Sequence, residues 1–316
     1  MDEATPNTYD IAIIGGGGAG LTAAIYAARA RRRTVVFERL ITGGQIATTE
    51  LVENYPGFPQ GINGFDFAQN LVQQAERFGA EMRYEDVARI ERLSNGTFRV
   101  ETNEGGYRAH AVVATAGADY NKLGVAGEDE FVGRGVSYCA TCDAAFFQNQ
   151  EVIVVGGGDA AFDEALFTTR YASKVHLVHR RADFRASALL QERVFAKAKI
   201  DIVRNTVVAR ILGTEAVEAA ELRNVETGAT QTLATAAVFI FIGQTPNSHL
   251  LKDLIALDDG GHAQVDLRMH TTVPGLFVAG DLRTQAARQL VSACGGGATA
   301  ALAAEAYLAE AGIGEG

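Results

Sequence analysis

The apolar residues of this chain come in short runs that end in glycine. "YDIAII", with its strand from Asp10 to Ile14, is a buried-strand pattern that runs into "GGGGAG". The Ala-rich stretch that follows predicts a helix to about Ala30, and "TVVF" a second strand ending at Phe37. The result is a βαβ unit with Gly15, Gly17 and Gly20 in the G-x-G-x-x-G places. The same plan recurs in "EVIVVGGGDAAFDEALFTTRYASKVHLV". A strand from Val152 to Val155 leads to Gly156, Gly158 and Ala161 in the glycine places, then to a helix and a strand ending at Val178. Two such units in register predict an α/β chain with two Rossmann-like dinucleotide-binding domains.

Between the units, "GGQIATTELVENYPGFPQGING" is a polar loop long enough to suggest binding. An amphipathic helix is predicted around Phe65 to Phe78, then a β-rich stretch to Ala114. Late in the chain, "AAVFIFIGQTPN" and "VPGLFVAGDL" are apolar strands running into glycine. A long Ala-rich helix follows the second, and it needs a sheet to pack on; the N-terminal domain offers one.

Composition narrows this picture. The chain has 316 residues, enough for two domains, and its 35 glycines against 5 prolines match tight turns at phosphates. A formal net charge of −10 argues against non-specific binding to nucleic acid or to an anionic membrane. The N-terminal "MDEATPNTYD" is acidic and polar, unlike an export signal, and no apolar run approaches the roughly 20 residues of a membrane span. A cytoplasmic protein is the expectation.

In a Rossmann unit the pyrophosphate meets the helix N-terminus, and the residue ending the second strand meets the adenosine ribose. In the first unit that residue is Glu38, 23 positions after Gly15. A carboxylate there accepts from both ribose hydroxyls and repels a 2′-phosphate, which fits FAD or NAD and not NADP. In the second unit the equivalent position is His179, followed by Arg180, Arg181 and, four residues on, Arg185. Guanidinium forks suit the 2′-phosphate of NADPH.

Two of the three cysteines form the C-x-x-C of "GVSYCATCDAAFF", Cys139 and Cys142, with Asp143 next. A structural disulfide, half of a metal site and a working dithiol all use this spacing. Without an export signal a disulfide framework is disfavoured. A zinc site wants four N or S ligands, and Cys294 with His110, His249, His262 and His270 shows no ligand spacing, so no metal is expected. A redox dithiol is the better reading, with Asp143 as the adjacent acid.

"GGGGAGLTAAIYAARA", "GGQIATTELVENYPGFP", "CATCD", "GGGDAAFDEA", "HRRADFRA" and "FVAGDLRTQAARQ" resemble, in order and spacing, the bacterial-type low-molecular-weight NADPH-dependent thioredoxin reductases, from about Tyr9 to Leu308. The resemblance implies that the NADPH domain, residues 118–246, is inserted into an FAD domain of residues 1–117 and 247–316. It implies FAD at Gly15, Gly17, Gly18, Ala19, Gly20, Glu38, Gly44, Gln45, Asn54, Val87, Gly117, Gly280, Asp281, Arg288, Gln289 and Leu290. It implies NADPH at Gly156, Gly158, Asp159, Ala160, His179, Arg180, Arg181 and Arg185. The catalytic residues would be Cys139 toward the substrate, Cys142 toward the flavin and Asp143 as general acid/base. A protein disulfide substrate (thioredoxin), a homodimer and rotation between two domain orientations are also implied.

Some positions depart from the family pattern. "ATAGA" stands for the usual A-T-G-A at the junction, Ala144 and Gly18 for a common Gly and Pro, and Cys294 for a small residue, often Gly. Cys294 reads as a buried small residue, and Asp143 has a simpler reading as a helix cap. The rival function is an NADPH-dependent flavoprotein reductase for another partner, either a thioredoxin-like protein or a ferredoxin or flavodoxin, the last two of which would need no C-x-x-C. A nucleotide sensor without turnover is a third.

Overall fold

The structure, a computed structural model, describes residues 7–49 and 51–313. The first six residues of the polar N-terminal segment, read above as no export signal, lie outside these. The chain divides into two compact units, one of residues 1–119 and 245–316, the other of residues 120–244.

The first unit opens with β1 (Thr8–Ile14), α1 (Gly18–Arg29) and β2 (Thr34–Phe37). All four residues of β2 and the last four of β1 are buried, as a parallel strand covered on both faces requires. Next comes α2 (Gly64–Arg77), one residue earlier than its apolar stripe suggested because Asn63 caps it, accepting from the N–H groups of Phe65 and Asp66. β3 (Glu81–Arg83), β4 (Val87–Arg92), β5 (Phe98–Thr102) and β6 (Gly106–Ala114) complete a sheet in the order β3-β2-β1-β6-β5-β4. β3, β2, β1 and β6 run parallel, while β4 and β5 form an antiparallel flap on β6.

A short strand, β7 (Ala118–Tyr120), leads out of this unit. The second unit holds β8 (Val136–Ser137), α3 (Ala140–Asp143), β9 (Glu151–Gly156), α4 (Asp159–Thr168), β10 (Lys174–Val178), α5 (Ala188–Phe195) and β11 (Ile200–Val203). β12 (Thr206–Gly213), β13 (Val217–Asn224) and β14 (Thr230–Ala234) form a separate antiparallel sheet. β15 (Ala237–Phe241) then enters the parallel sheet, whose order is β11-β10-β9-β15-β8. In both units the strand before the glycine turn lies inside its sheet, so the turn opens at the carboxyl end of a central strand.

β16 (Gln244–Pro246) pairs with β7 as the chain returns to the first unit. There β17 (Leu276–Val278) joins β6 in parallel, and α6 (Leu290–Glu310) packs on α1 and β6. This is the sheet that the Ala-rich helix required. Its alanines at 300, 301, 303 and 304 share one core with Ala23, Ala24, Ala27 and Ala28 of α1, and side chains this small let two helices approach closely. Among the described residues, no helix is long and apolar enough to cross a membrane.

Candidate active site

The first glycine turn is built from close approaches. Gly15 has φ +106°, and a Cβ on it would lie 2.6 Å from the carbonyl oxygen of Thr115. A Cβ on Gly20 would lie 1.9 Å from the carbonyl oxygen of Gly15. Gly17 caps α1 without a side-chain hydrogen bond and has open space where a side chain would be, so no side chain of its own covers the first N–H groups of the helix, the groups that suit an anion. Glu38 is fixed beside it, its two carboxylate oxygens accepting from Gly16 N–H at 2.8 Å and Leu40 N–H at 3.0 Å.

Of the other residues singled out in the first unit, Gly44 and Gly280 come to the same turn, and the rest make contacts of their own. Gly43 N–H donates to Gly16 O at 2.7 Å, and the pseudo-Cβ of Gly44 is 3.7 Å from Gly17 Cα. Gln45 donates to the carbonyl of Ala118, and Asn54 Nδ2 to Gln289 Oε1 at 3.1 Å. Gly117 O accepts from Asn247 N–H at 3.0 Å, and Val87 belongs to the core cluster that holds Phe37, next to Glu38. Gly280 approaches Ala19, its pseudo-Cβ 3.1 Å from Ala19 Cβ. Burial pushes the Asp281 carboxyl up, with Arg288, Arg283 and His262 pulling the other way. That carboxyl accepts no hydrogen bond among the described residues, so a hydroxyl-rich ligand would satisfy it. Arg288 takes φ +54° just before α6, a backbone conformation uncommon outside glycine and enriched at ligand sites.

Two departures from the family pattern are in contact. A Cβ on Gly18 would lie 2.6 Å from Leu290 Cδ1 and 3.3 Å from Cys294 Sγ. Cys294 is 5 % exposed and its thiol reaches the carbonyl of Gly18 at 3.5 Å. The residue lost at 18 and the sulfur gained at 294 occupy one space. Burial holds the Cys294 thiol above its usual range, which keeps it protonated, as befits a packing residue.

In the second unit, Gly158 caps α4 as Gly17 caps α1, also with open space at its Cβ and no side-chain cap. The loop after β10 folds back over the turn. Arg185 N–H and Ala186 N–H donate to Gly157 O at 2.8 and 3.2 Å, and Ser187 N–H to Asp159 Oδ1 at 2.6 Å. Ala160 follows Asp159 in the first turn of α4. His179 packs so tightly that a Cβ on Gly157 would lie 2.2 Å from its Cε1. Burial lowers the His179 pKa, and Arg180, Arg181 and Arg185 lower it further, against a bond to Asp183 O that raises it.

A cavity of about 420 Å³ opens here, and Gly156, His179, Arg180, Arg181 and Arg185 all line it. Three cationic side chains in one cavity fit a phosphate-bearing ligand. Sequence reasoning missed the rest of the lining, which includes Asn121, Lys122 and Leu123 from the outgoing crossing and Thr206 to Val208 at the start of β12. Neither stretch has a recognisable motif.

Cys139 and Cys142 are joined as a disulfide at the head of α3, both half-buried. Cys142 N–H donates to Cys139 Sγ at 3.2 Å. Asp143 makes no capping bond; its Oδ2 instead accepts from Ser137 Oγ at 2.6 Å. Burial raises the Asp143 carboxyl above its ordinary range, and the Ser137 bond lowers it. A half-buried carboxyl with a raised pKa, next in sequence to a disulfide, is suited to proton exchange. Of the scattered histidines, His262 and His270 pair with Asp258 and Asp266 in separate turns.

Two glycine turns and a disulfide with a buried acid define an oxidoreductase. The sequence model for pyridine nucleotide-disulphide oxidoreductases matches residues 9–306, and the chain belongs to that family. It is similar to the thioredoxin reductase of Treponema pallidum, 44 % identical over 300 residues that cover 95 % of this chain and 97 % of that one. The Bacillus subtilis thioredoxin reductase is 43 % identical over 304 residues, covering 96 % and 95 %. The crystal structure of the thioredoxin reductase from Streptococcus pyogenes superposes with a TM-score of 0.92 at 41 % identity, covering 97 % of this chain and all of that one. The resemblance read from the motifs is borne out.

Proposed function

We propose that this chain is an NADPH-dependent thioredoxin reductase, with FAD in the first unit and NADPH in the second. The observation that carries this reading is the half-buried Cys139–Cys142 disulfide with Asp143 held beside it, in a chain whose relatives are thioredoxin reductases. It counts against the reductase of a ferredoxin or flavodoxin, which needs no such pair.

The glycine turn, Glu38, Gly44, Gln45, Asn54, Gly117, Gly280, Asp281 and the stretch Arg288 to Leu290 would hold FAD, with Val87 by the adenine. The turn at Gly156, Gly158, Asp159 and Ala160, with His179, Arg180, Arg181 and Arg185, would hold NADPH. When bound, the two cofactors supply a hydride donor and a relay that passes its two electrons on to a disulfide. The chain's own residues do the rest. Cys139 attacks the protein disulfide, Cys142 closes on it to release the substrate, and Asp143 exchanges the proton at the sulfur. The domain boundaries, 1–117 and 247–316 against 118–246, belong to this proposal, as does a hinge at the paired crossings β7 and β16 that turns the domains between half-reactions. So do a homodimer and a cytoplasmic location, with no nucleic-acid or membrane partner.

The test is anaerobic reduction of the purified yellow protein by NADPH and by NADH, followed by transfer to bacterial thioredoxins. NADPH is expected to bleach the flavin and reduce thioredoxin. Cys139→Ser keeps the bleaching and loses at least about 10³-fold in thioredoxin reduction, as removal of a nucleophile does. A preference for NADH, or full turnover in Cys139→Ser, refutes the reading.

A further inference from the structure

We propose that Ser137 is a positioning residue for the dithiol chemistry: its hydroxyl ties Asp143 to the backbone of Cys139 and leaves Oδ1 as the oxygen that carries the proton. This rests on the thioredoxin reductase reading above and deepens it.

Ser137 ends β8 and is 6 % exposed. Its Oγ accepts Cys139 N–H at 3.0 Å, and lies 2.6 Å from Asp143 Oδ2 and 3.2 Å from Cys139 O. A hydroxyl has one proton to give. The shorter contact, to a carboxylate, is the charge-assisted one, so the O–H points at Oδ2. The resulting chain is Cys139 N–H to Ser137 O–H to Asp143 Oδ2, crossing the turn that holds the disulfide. Oδ2 already accepts, whereas Oδ1 has no partner among the described residues, so a proton taken up by the carboxyl sits on Oδ1.

The surroundings leave Ser137 in control. Burial and the Ser137 bond are the two influences that act on Asp143. β8 reaches α3 through the Ser137 hydrogen bonds; the turn Ala144–Phe147, which brings no charge, and α4, which brings Glu164, pack against it. Glu164 faces Thr141, at 3.5 Å from Thr141 Oγ1, and burial raises it too. Among the described residues, no cation pairs with Asp143.

In the reaction two electrons from NADPH, which leaves as NADP⁺, break the Cys139–Cys142 bond. The two sulfurs become thiols by taking two protons, one carried with the two electrons in the hydride that NADPH gives up and the other delivered from Oδ1 of Asp143, which is refilled from water.

The experiment uses the full-length flavoprotein, carboxyl-labelled with ¹³C, with the Asp143 signal assigned from Asp143→Asn. Ser137→Ala is expected to move the Asp143 titration up by about one pH unit, a tenfold fall in its ionisation constant. The near-isosteric pair Ser137→Val and Ser137→Thr separates shape from hydroxyl: Val gives the upward shift and Thr restores the wild-type value, even if the alanine variant fails to fold. The pH profile for thiol formation in the Cys139–Cys142 pair under NADPH moves with the titration, while the rate of flavin reduction does not. An unmoved titration in the variants without a hydroxyl overturns the proposal, and so does a moved titration with an unmoved thiol profile. If the wild type reduces its own disulfide but no thioredoxin, the partner reading fails, and these two readouts still decide the role of Ser137.

Discussion

The two glycine turns use one backbone plan for opposite chemistry. In both, the glycine between the first two glycine places lies against the residue that follows the second strand. Gly16 donates its N–H to the Glu38 carboxylate, while Gly157 presses on the His179 ring, itself stacked on Phe184 with centroids 5.0 Å apart. On the proposed reading, the acid in one unit would repel a 2′-phosphate, and the imidazole with three arginines in the other would receive it. What the two turns share is the helix N-terminus; what differs is the charge of the side chains beside it.

The third glycine place gives the sharpest contrast. Gly20 has no room for a methyl group, 1.9 Å from Gly15 O, whereas Ala161 already carries one. Gly20→Ala is therefore expected to cost about 3 kcal/mol or more and to lose FAD on purification, as overpacking against fixed backbone does. Ala161→Gly costs only about 1 kcal/mol, the ordinary price of glycine in a helix. Urea unfolding and flavin content measure both, and equal losses would break the comparison.

Next in size is the basic wall. Replacing Arg180 and Arg181 by alanine should raise KM for NADPH by about 10- to 100-fold, the worth of hydrogen bonds to a charged group, and leave constants for NADH nearly unchanged. Because these side chains are exposed, added salt should shrink the difference. An equal loss for both nucleotides would show that the arginines hold the loop and do not read the phosphate.

Acid separates the units by sign. His179 has a lowered pKa in the folded chain, so between the ordinary histidine value near 6.5 and that lower value the unfolded chain binds more protons. Stability from this group falls as pH drops through that window, measured without NADPH, and His179→Gln flattens the dependence. Asp281 has a raised pKa, so between 3.8 and its folded value the folded chain binds more protons. Its contribution falls as pH rises, the reverse direction, and Asp281→Asn removes it in the FAD-free chain.

The smallest effect tests the shared space at Gly18 and Cys294. Gly18→Ala meets the ends of movable side chains, so about 1 kcal/mol is expected, and Cys294→Ala should recover part of it in the double variant. Simple additivity would mean that the two departures are unrelated.

Legibility followed distance along the chain. The βαβ units, the strands β15 and β17 that run into glycine, and α6 were readable because apolar period and glycine placement are properties of neighbours. Cys139, Cys142 and Asp143 were readable as a motif. Ser137 stood two residues from Cys139 and carried no signal, since a serine in a strand says nothing about where its hydroxyl points. The cavity wall at Asn121 to Leu123 and Thr206 to Val208 unites segments more than 80 residues apart along the chain, about as far as any contact order hides. The meeting of Gly18 with Cys294 spans 276 residues, and each looked like an isolated oddity.

By itself the sequence determined the two nucleotide folds, which residue would end each second strand, and the dithiol with its acid. These depend on side-chain period, on glycine's freedom in tight turns and on the chemistry of charged groups at known spacing. Only the tertiary structure decided how far Asp143 and Asp281 are covered, which oxygen of Asp143 is engaged, and which distant segments line the cavity with the arginines. Burial and hydrogen bonding depend on which distant surfaces come together, and that follows from packing the whole chain rather than from any stretch of it.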